Sequence, residues 1–144
     1  MLDRALAVGA DYAFDARDDA LHDKIAEATE GRQLDVAFDA VGLKSTFEQA
    51  LGSLTVGGRL VGIGMSADAP TIGPTAMFNL FKRQVLGHLG YQNADIGTLA
   101  NLVSRGRLDL SRSISEIVSL EDVAKGIEKL EKADGDPIRI LVQP

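Results

Sequence analysis

Leu34-Asp-Val-Ala-Phe-Asp-Ala-Val-Gly42, then Phe47-Glu-Gln-Ala-Leu-Gly-Ser-Leu54, then Arg59-Leu-Val-Gly-Ile-Gly64 read as strand, helix and strand. The outer two are short apolar runs rich in branched and aromatic residues. The middle one places Phe47, Ala50, Leu51 and Leu54 at the spacing of one helical face. Gly57-Gly58 supplies a turn into the second strand. The stretch is therefore expected to be one parallel βαβ crossover. Both strands run out at a glycine, Gly42 and Gly64. In open α/β sheets ligands lie across the carboxyl ends of the strands, where glycine lets a flat or charged group come close to the backbone.

Upstream, Leu2, Ala5 and Leu6 share a helical face and Gly9 follows them, so the chain opens inside a helix, as a truncated protein would. Residues 12–15 (Tyr-Ala-Phe-Asp) are expected to form a short strand. Asp18 and Asp19 then give the acidic first turn of a helix carrying Leu21, Ile25 and Ala28, which Gly31 ends. Downstream, residues 67–74 read as a long loop past a strand's carboxyl end. Residues 76–83 fit a helix or an edge strand equally, and residues 84–90 form a strand closing on Gly87-His-Leu-Gly90. A helix over 95–105 points Ile96, Leu99, Leu102 and Val103 inward. Ser119-Leu-Glu-Asp122 has a capping-box pattern before a helix that buries Val123, Ile127 and Leu130, and 138–142 is a last strand. No repeat, low-complexity segment or linker interrupts residues 1–144, which are expected to form a single domain of α/β class.

Composition narrows the function. The 144 residues, 45% apolar and 25% charged, are ordinary for one globular domain. A net charge of −6 gives no basic surface for nucleic acid or an anionic membrane. The charges of Asp3 and Arg4 oppose a signal peptide, so a cytoplasmic protein is expected. With no cysteine and only His22 and His88, disulfides are excluded and a structural zinc site is not expected. Neither Gly-x-Gly-x-x-Gly nor Gly-x-x-x-x-Gly-Lys occurs, so the phosphate-cradling first turn of a nucleotide-binding sheet is missing.

The segments Ala7-Val-Gly-Ala-Asp11, Leu34 to Gly42, Gly57-Gly-Arg-Leu-Val-Gly-Ile-Gly64, Gly106-Arg-Leu-Asp-Leu110 and Ile138-Arg-Ile-Leu-Val142 keep the order found in a known family. Together they resemble the medium-chain, zinc-type alcohol dehydrogenases, over the carboxyl-terminal part of that family's chain. The resemblance implies a Rossmann-type parallel sheet flanked by helices, lacking the first glycine-rich βα unit, and NAD or NADP as cofactor. It implies that Ala40, Val41 and Gly42 lie beside the adenosine and nicotinamide-ribose part, that Ile63 and Gly64 line the nicotinamide pocket, and that the backbone of Gly87, His88 and Leu89 meets the carboxamide. Arg139 matches an arginine on the pyrophosphate, a fixed cation on a doubly charged group. The segment 77–82, from Met77 to Lys82, would be a homo-oligomer interface. The family's zinc ligands, proton relay and ribose-reading acid would all precede residue 1. The resemblance thus implies a cofactor-binding portion that is inactive alone, without catalytic residues or zinc, and with dinucleotide affinity no tighter than roughly millimolar.

Plainer readings stand beside these. Gly42, Gly64 and Gly90 also serve as strand ends and turns. Asp39, inside an apolar strand, needs partners and fits a structural role. His88 fits a packed strand histidine, and Arg139 a surface arginine. Two other functions remain open: a non-catalytic nucleotide-binding or interaction module, and a fragment of an S-adenosylmethionine-dependent methyltransferase. The last folds end in an antiparallel hairpin, for which residues 95–142 give no pattern.

Overall fold

The computed structural model describes residues 2–135 and 137–144. It divides into two compact units, residues 1–90 and 91–144.

The first unit is built on the expected crossover. Strand β1 (Leu34–Asp39) is followed by a helix over Lys44–Gly52, strand β2 (Leu54–Gly62), a helix over Thr75–Leu80 and strand β3 (Gln84–Gly87). The strands form one sheet in the order β1-β2-β3, and both pairings are parallel. Ala37, Leu60 and Val85 stand side by side in the register, as do Asp39, Gly62 and Gly87. The core lies on the face of Ala37 and Leu60, with Leu51 and Leu54 completing it and Leu34, Phe47, Ala50 and Phe78 packed around it. Leu60 is 0% exposed. Two further helices precede the sheet, α1 (Leu2–Ala7) and α2 (Leu21–Ala28), so the helices over 44–52 and 75–80 are α3 and α4.

Several expectations need correction. Residues 12–15 are not a strand. A strand is stabilised by a ladder of hydrogen bonds to a neighbour, and among the described residues none pairs with this segment. Tyr12 and Phe14 instead stack, with ring centroids 6.0 Å apart, beside a groove of about 530 Å3. Gly57-Gly58 does not precede β2 but lies within it. The register jumps between the pairs Leu34–Leu54 and Val36–Arg59, so the extra residues of β2 bulge there. Gly57 takes φ +78° in that bulge, and its N–H donates to Phe81 O at 2.7 Å. The ambiguous 76–83 segment is helical over Thr75–Leu80. β1 and β3 each stop three residues short of Gly42 and Gly90, and β2 stops at Gly62 rather than Gly64.

In the second unit, α5 (Asn93–Ser104) precedes strand β4 (Glu116–Ser119), helix α6 (Val123–Glu131) and strand β5 (Ile140–Gln143). β4 and β5 pair in parallel, Glu116 opposite Ile140 and Ser119 opposite Gln143. This is a second crossover, not an antiparallel hairpin. The sequence reading lacks β4 and starts β5 two residues early. α6 packs closest at Gly126, where a Cβ would lie 3.3 Å from Ile140 and 3.6 Å from Val118. Ile127 and Leu130, expected inside, are exposed, as are Ile96, Leu99, Leu102 and Val103 of α5. Ser119 does not cap α6 directly: a single 3-10 turn (Leu120–Asp122) intervenes, and Ser119 Oγ donates to Asp122 Oδ2 at 3.3 Å. No helix among the described residues is long and apolar enough to cross a membrane.

Candidate functional site

The register that aligns Asp39, Gly62 and Gly87 brings the residues just beyond them to one edge of the first sheet. Ala40, Val41 and Gly42 follow β1, Ile63 and Gly64 follow β2, and His88 and Leu89 follow β3. Eight of the nine residues singled out from the sequence, counting Gly87 itself, therefore share the carboxyl edge. The ninth, Arg139, belongs to the second unit. It is exposed just before β5, and its carbonyl accepts a hydrogen bond from Ser115 N–H at 2.8 Å.

Asp39 organises this edge. It is 4% exposed, and its Oδ1 accepts from Val41 N–H at 3.0 Å, Gly42 N–H at 3.1 Å and Thr46 Oγ1 at 3.0 Å. Its carbonyl accepts from Ile63 N–H at 2.8 Å and Gly64 N–H at 2.9 Å. The end of β3 is tied in turn, because His88 N–H donates to Gly62 O at 2.9 Å. A buried carboxylate must find donors, and Asp39 finds them in the turn it initiates, as the plainer reading of that residue expects. One consequence concerns ligands. The N–H groups of residues 41, 42, 63, 64 and 88 are already engaged, so this edge offers a ligand carbonyl oxygens and side chains rather than those donors.

The two glycines beyond β1 and β2 have a role the sequence reading did not separate from ligand approach. A Cβ on Gly64 would lie 2.3 Å from Gly42 N, and one on Gly42 would lie 2.5 Å from Gly64 C. Gly42 also has φ +83°. These glycines let two chain segments meet each other. Gly87 differs, since a Cβ there would meet nothing within 4 Å. Beyond the strand ends Val41, Ile63, Met65 and Leu89 expose apolar side chains, Leu89 at 79%. Met65 escaped the sequence reading because a methionine after a glycine carries no pattern.

The sequence profile described as "Zinc-binding dehydrogenase" matches residues 1–105. The chain belongs to the zinc-binding dehydrogenase family. Among curated members it is 27% identical over 146 aligned residues to an alcohol dehydrogenase of Cupriavidus necator, covering 99% of this chain and 40% of that one. It is 33% identical over 112 residues to the geraniol dehydrogenase of Carpoglyphus lactis, covering 76% of this chain and 29% of the relative. Among solved structures, 2R,3R-butanediol dehydrogenase from Bacillus subtilis superposes with a TM-score of 0.84 at 26% identity, over 99% of this chain and 40% of that one. The chain thus spans about 40% of the length of the first of these relatives. The parallel sheet with flanking helices is the Rossmann-type cofactor fold of these dehydrogenases.

The family name implies zinc, but the residues present do not fit one. Among the described residues no three His, Asp or Glu side chains gather where they could hold a metal ion, and the sequence has no cysteine.

Proposed function

We propose that this chain is the cofactor-binding portion of an NAD(P)-dependent, zinc-type alcohol dehydrogenase. The parent reaction moves a hydride between an alcohol or carbonyl substrate and a nicotinamide dinucleotide. The observation that carries this reading is the carboxyl edge of β1-β2-β3, with Gly87 unobstructed and Val41, Ile63 and Leu89 exposed just beyond the strand ends. An apolar, glycine-faced edge at the strand ends is where an open α/β sheet receives a flat ring. When bound, the dinucleotide supplies the hydride chemistry. The chain's own part is to hold and orient it. Asp39 is committed to Val41, Gly42 and Thr46, which supports a structural rather than a proton-transfer role for the carboxylate nearest this edge. Arg139 is assigned to the pyrophosphate, and both units belong to one cofactor domain of a cytoplasmic protein.

The same reading makes the 77–82 segment a contact between two copies. Leu80 and Met77 are exposed on α4 while Phe78 packs on the core, and β3 beside them is the last strand of its sheet. Sedimentation velocity should find a dimer that Leu80→Asp dissociates; a monomer at all concentrations removes this contact from the reading.

The deciding experiment titrates the purified chain with NADH, NADPH and S-adenosylmethionine, using ligand-detected NMR so that millimolar affinities register. Saturable binding of NADH or NADPH, weakened several-fold by Arg139→Ala, is the expected result. Binding of S-adenosylmethionine alone, or of none of the three, overturns the cofactor reading.

A further inference from the structure

Residues 63–74 connect β2 to α4 without regular structure, yet they are fastened at three points to Gly42 and α3. Ser66 Oγ donates to Gly42 O at 2.5 Å, Lys44 N–H donates to Asp68 Oδ2 at 2.8 Å, and Thr71 N–H donates to Glu48 Oε1 at 2.9 Å. Asp68 N–H donates back to Ser66 Oγ at 3.0 Å, which couples the first two fastenings. Lys44 is the first residue of α3, and Leu43 stands at the cap position without a side-chain acceptor. The first N–H groups of a helix have no partner within it and are ordinarily met by Ser, Thr, Asp or Asn at the cap. Here the acceptor comes from a residue 24 positions further along the chain.

That substitution links a helix end to the ligand edge. Ile63 and Gly64 leave β2 held by the Asp39 carbonyl, and at Ser66 and Asp68 the loop is held again, to Gly42 and Lys44. Met65 lies between the two sets of ties and is exposed. The backbone crossing of Gly64 over Gly42 leaves no room for slack at this point.

We infer that Asp68 is a positioning residue of the cofactor surface: by capping α3 from the loop, it fixes the path of residues 63–65 across the carboxyl edge. The proposal rests on reading that edge as the cofactor surface. Asp68 acts through Lys44 and Ser66 and makes no contact with ligand.

The test uses the whole chain, 15N-labelled, as wild type, Asp68→Ala and Asp68→Asn. In Asp68→Ala the Lys44 amide should exchange with solvent roughly tenfold faster or more, as loss of a charge-assisted bond implies. The Ile63 and Gly64 amide resonances should move while that of Leu60 stays, and NADH affinity should fall several-fold. Asp68→Asn should restore all three, because asparagine accepts the same hydrogen bond. Unchanged Lys44 exchange and unchanged Ile63 and Gly64 resonances in Asp68→Ala overturn the proposal, as does a loosened loop with wild-type NADH affinity. If Asp68→Ala does not fold, Lys44→Pro removes the N–H that Asp68 accepts from, at a first helical position that tolerates proline, and wild-type resonances at Ile63 and Gly64 there overturn it equally. A wild-type chain that binds no NADH counts against the cofactor reading, and the exchange and resonance measurements then decide alone whether Asp68 sets the loop's path.

Discussion

A single methyl group separates the two tasks that glycine performs along the carboxyl edge. At Gly64 it would sit 2.3 Å from the backbone of Gly42 and Val41, with no flexible side chain to give way. Gly64→Ala should therefore lower stability by ~1–3 kcal/mol, the usual range for overpacking, and bring the urea midpoint down with it. At Gly87 the same methyl meets open space. Gly87→Ala should leave stability within ~0.5 kcal/mol of wild type and weaken NADH binding several-fold. Wild-type affinity in that variant would move the ligand away from β3. A second residue-scale effect depends on pH. Arg17 reaches Asp15 through Nη2 at 2.8 Å and Nε at 3.0 Å, and its N–H adds a third bond at 2.9 Å. These hydrogen bonds, more than the charge, hold the Asp15 carboxyl down at about 2. The folded pKa is the lower one, so the contribution to stability is complete above the unfolded value of ~4 and is lost as pH falls from there through about 2. Both side chains are exposed, so salt weakens the effect. A carboxyl-carbon NMR titration should place Asp15 near 2, with Arg17→Ala returning it toward the ordinary range; an unshifted Asp15 in the wild type would show that the pair does not form in solution.

At the scale of elements, legibility followed the range of the interactions that make each one. The β1-α3-β2 crossover was readable because its signals are local: apolar runs at strand length and Phe47, Ala50 and Leu51 at helical spacing. Two segments whose state depends on a distant partner were not. Residues 12–15 have strand-like composition but form no ladder, whereas β4 is only four residues long and exists through pairing with β5 across α6. The bulge in β2 escaped for a related reason. A Gly-Gly pair reads as a turn in sequence, and only the register against Leu34 and Val36 shows the strand continuing through it. The candidate site divides in the same way. The three strands that reach it were legible, although each stops short of the glycine expected to end it, and the cap of α3 by Asp68 was not, because Leu43 gives no cap signal and nothing local marks Asp68 as the donor's partner. Helix faces misled most. Ile96, Leu99 and Ile127 are spaced for burial yet lie exposed, since periodicity identifies an apolar face without naming what covers it.

At the scale of the whole molecule, each unit holds its own parallel crossover, and among the described residues the strands of each sheet come from one unit. Parallel sheets ordinarily bury both faces, yet the face of the first sheet opposite its core leaves Val36 and Leu86 exposed and Phe38 at 67%. Stability in the first unit thus rests on the one face packed around Leu60 and on the ties along its carboxyl edge. The last of those ties is His88 N–H to Gly62 O, and the first in the second unit is Gln92 N–H to Asp95 Oδ2 at 2.7 Å. Between them the chain has no regular structure and carries Leu89 at 79% and Tyr91 at 72% exposure. A protease needs several residues of extended, accessible backbone, and large exposed side chains direct chymotrypsin to its cleavage point. Brief chymotrypsin digestion should therefore cut first after Leu89 or Tyr91, giving two fragments that mass spectrometry assigns to either side of the junction. The larger fragment should keep the protected amides of β1, β2 and β3. First cleavage inside those strands would instead mean that the packed face around Leu60 does not hold the sheet together by itself.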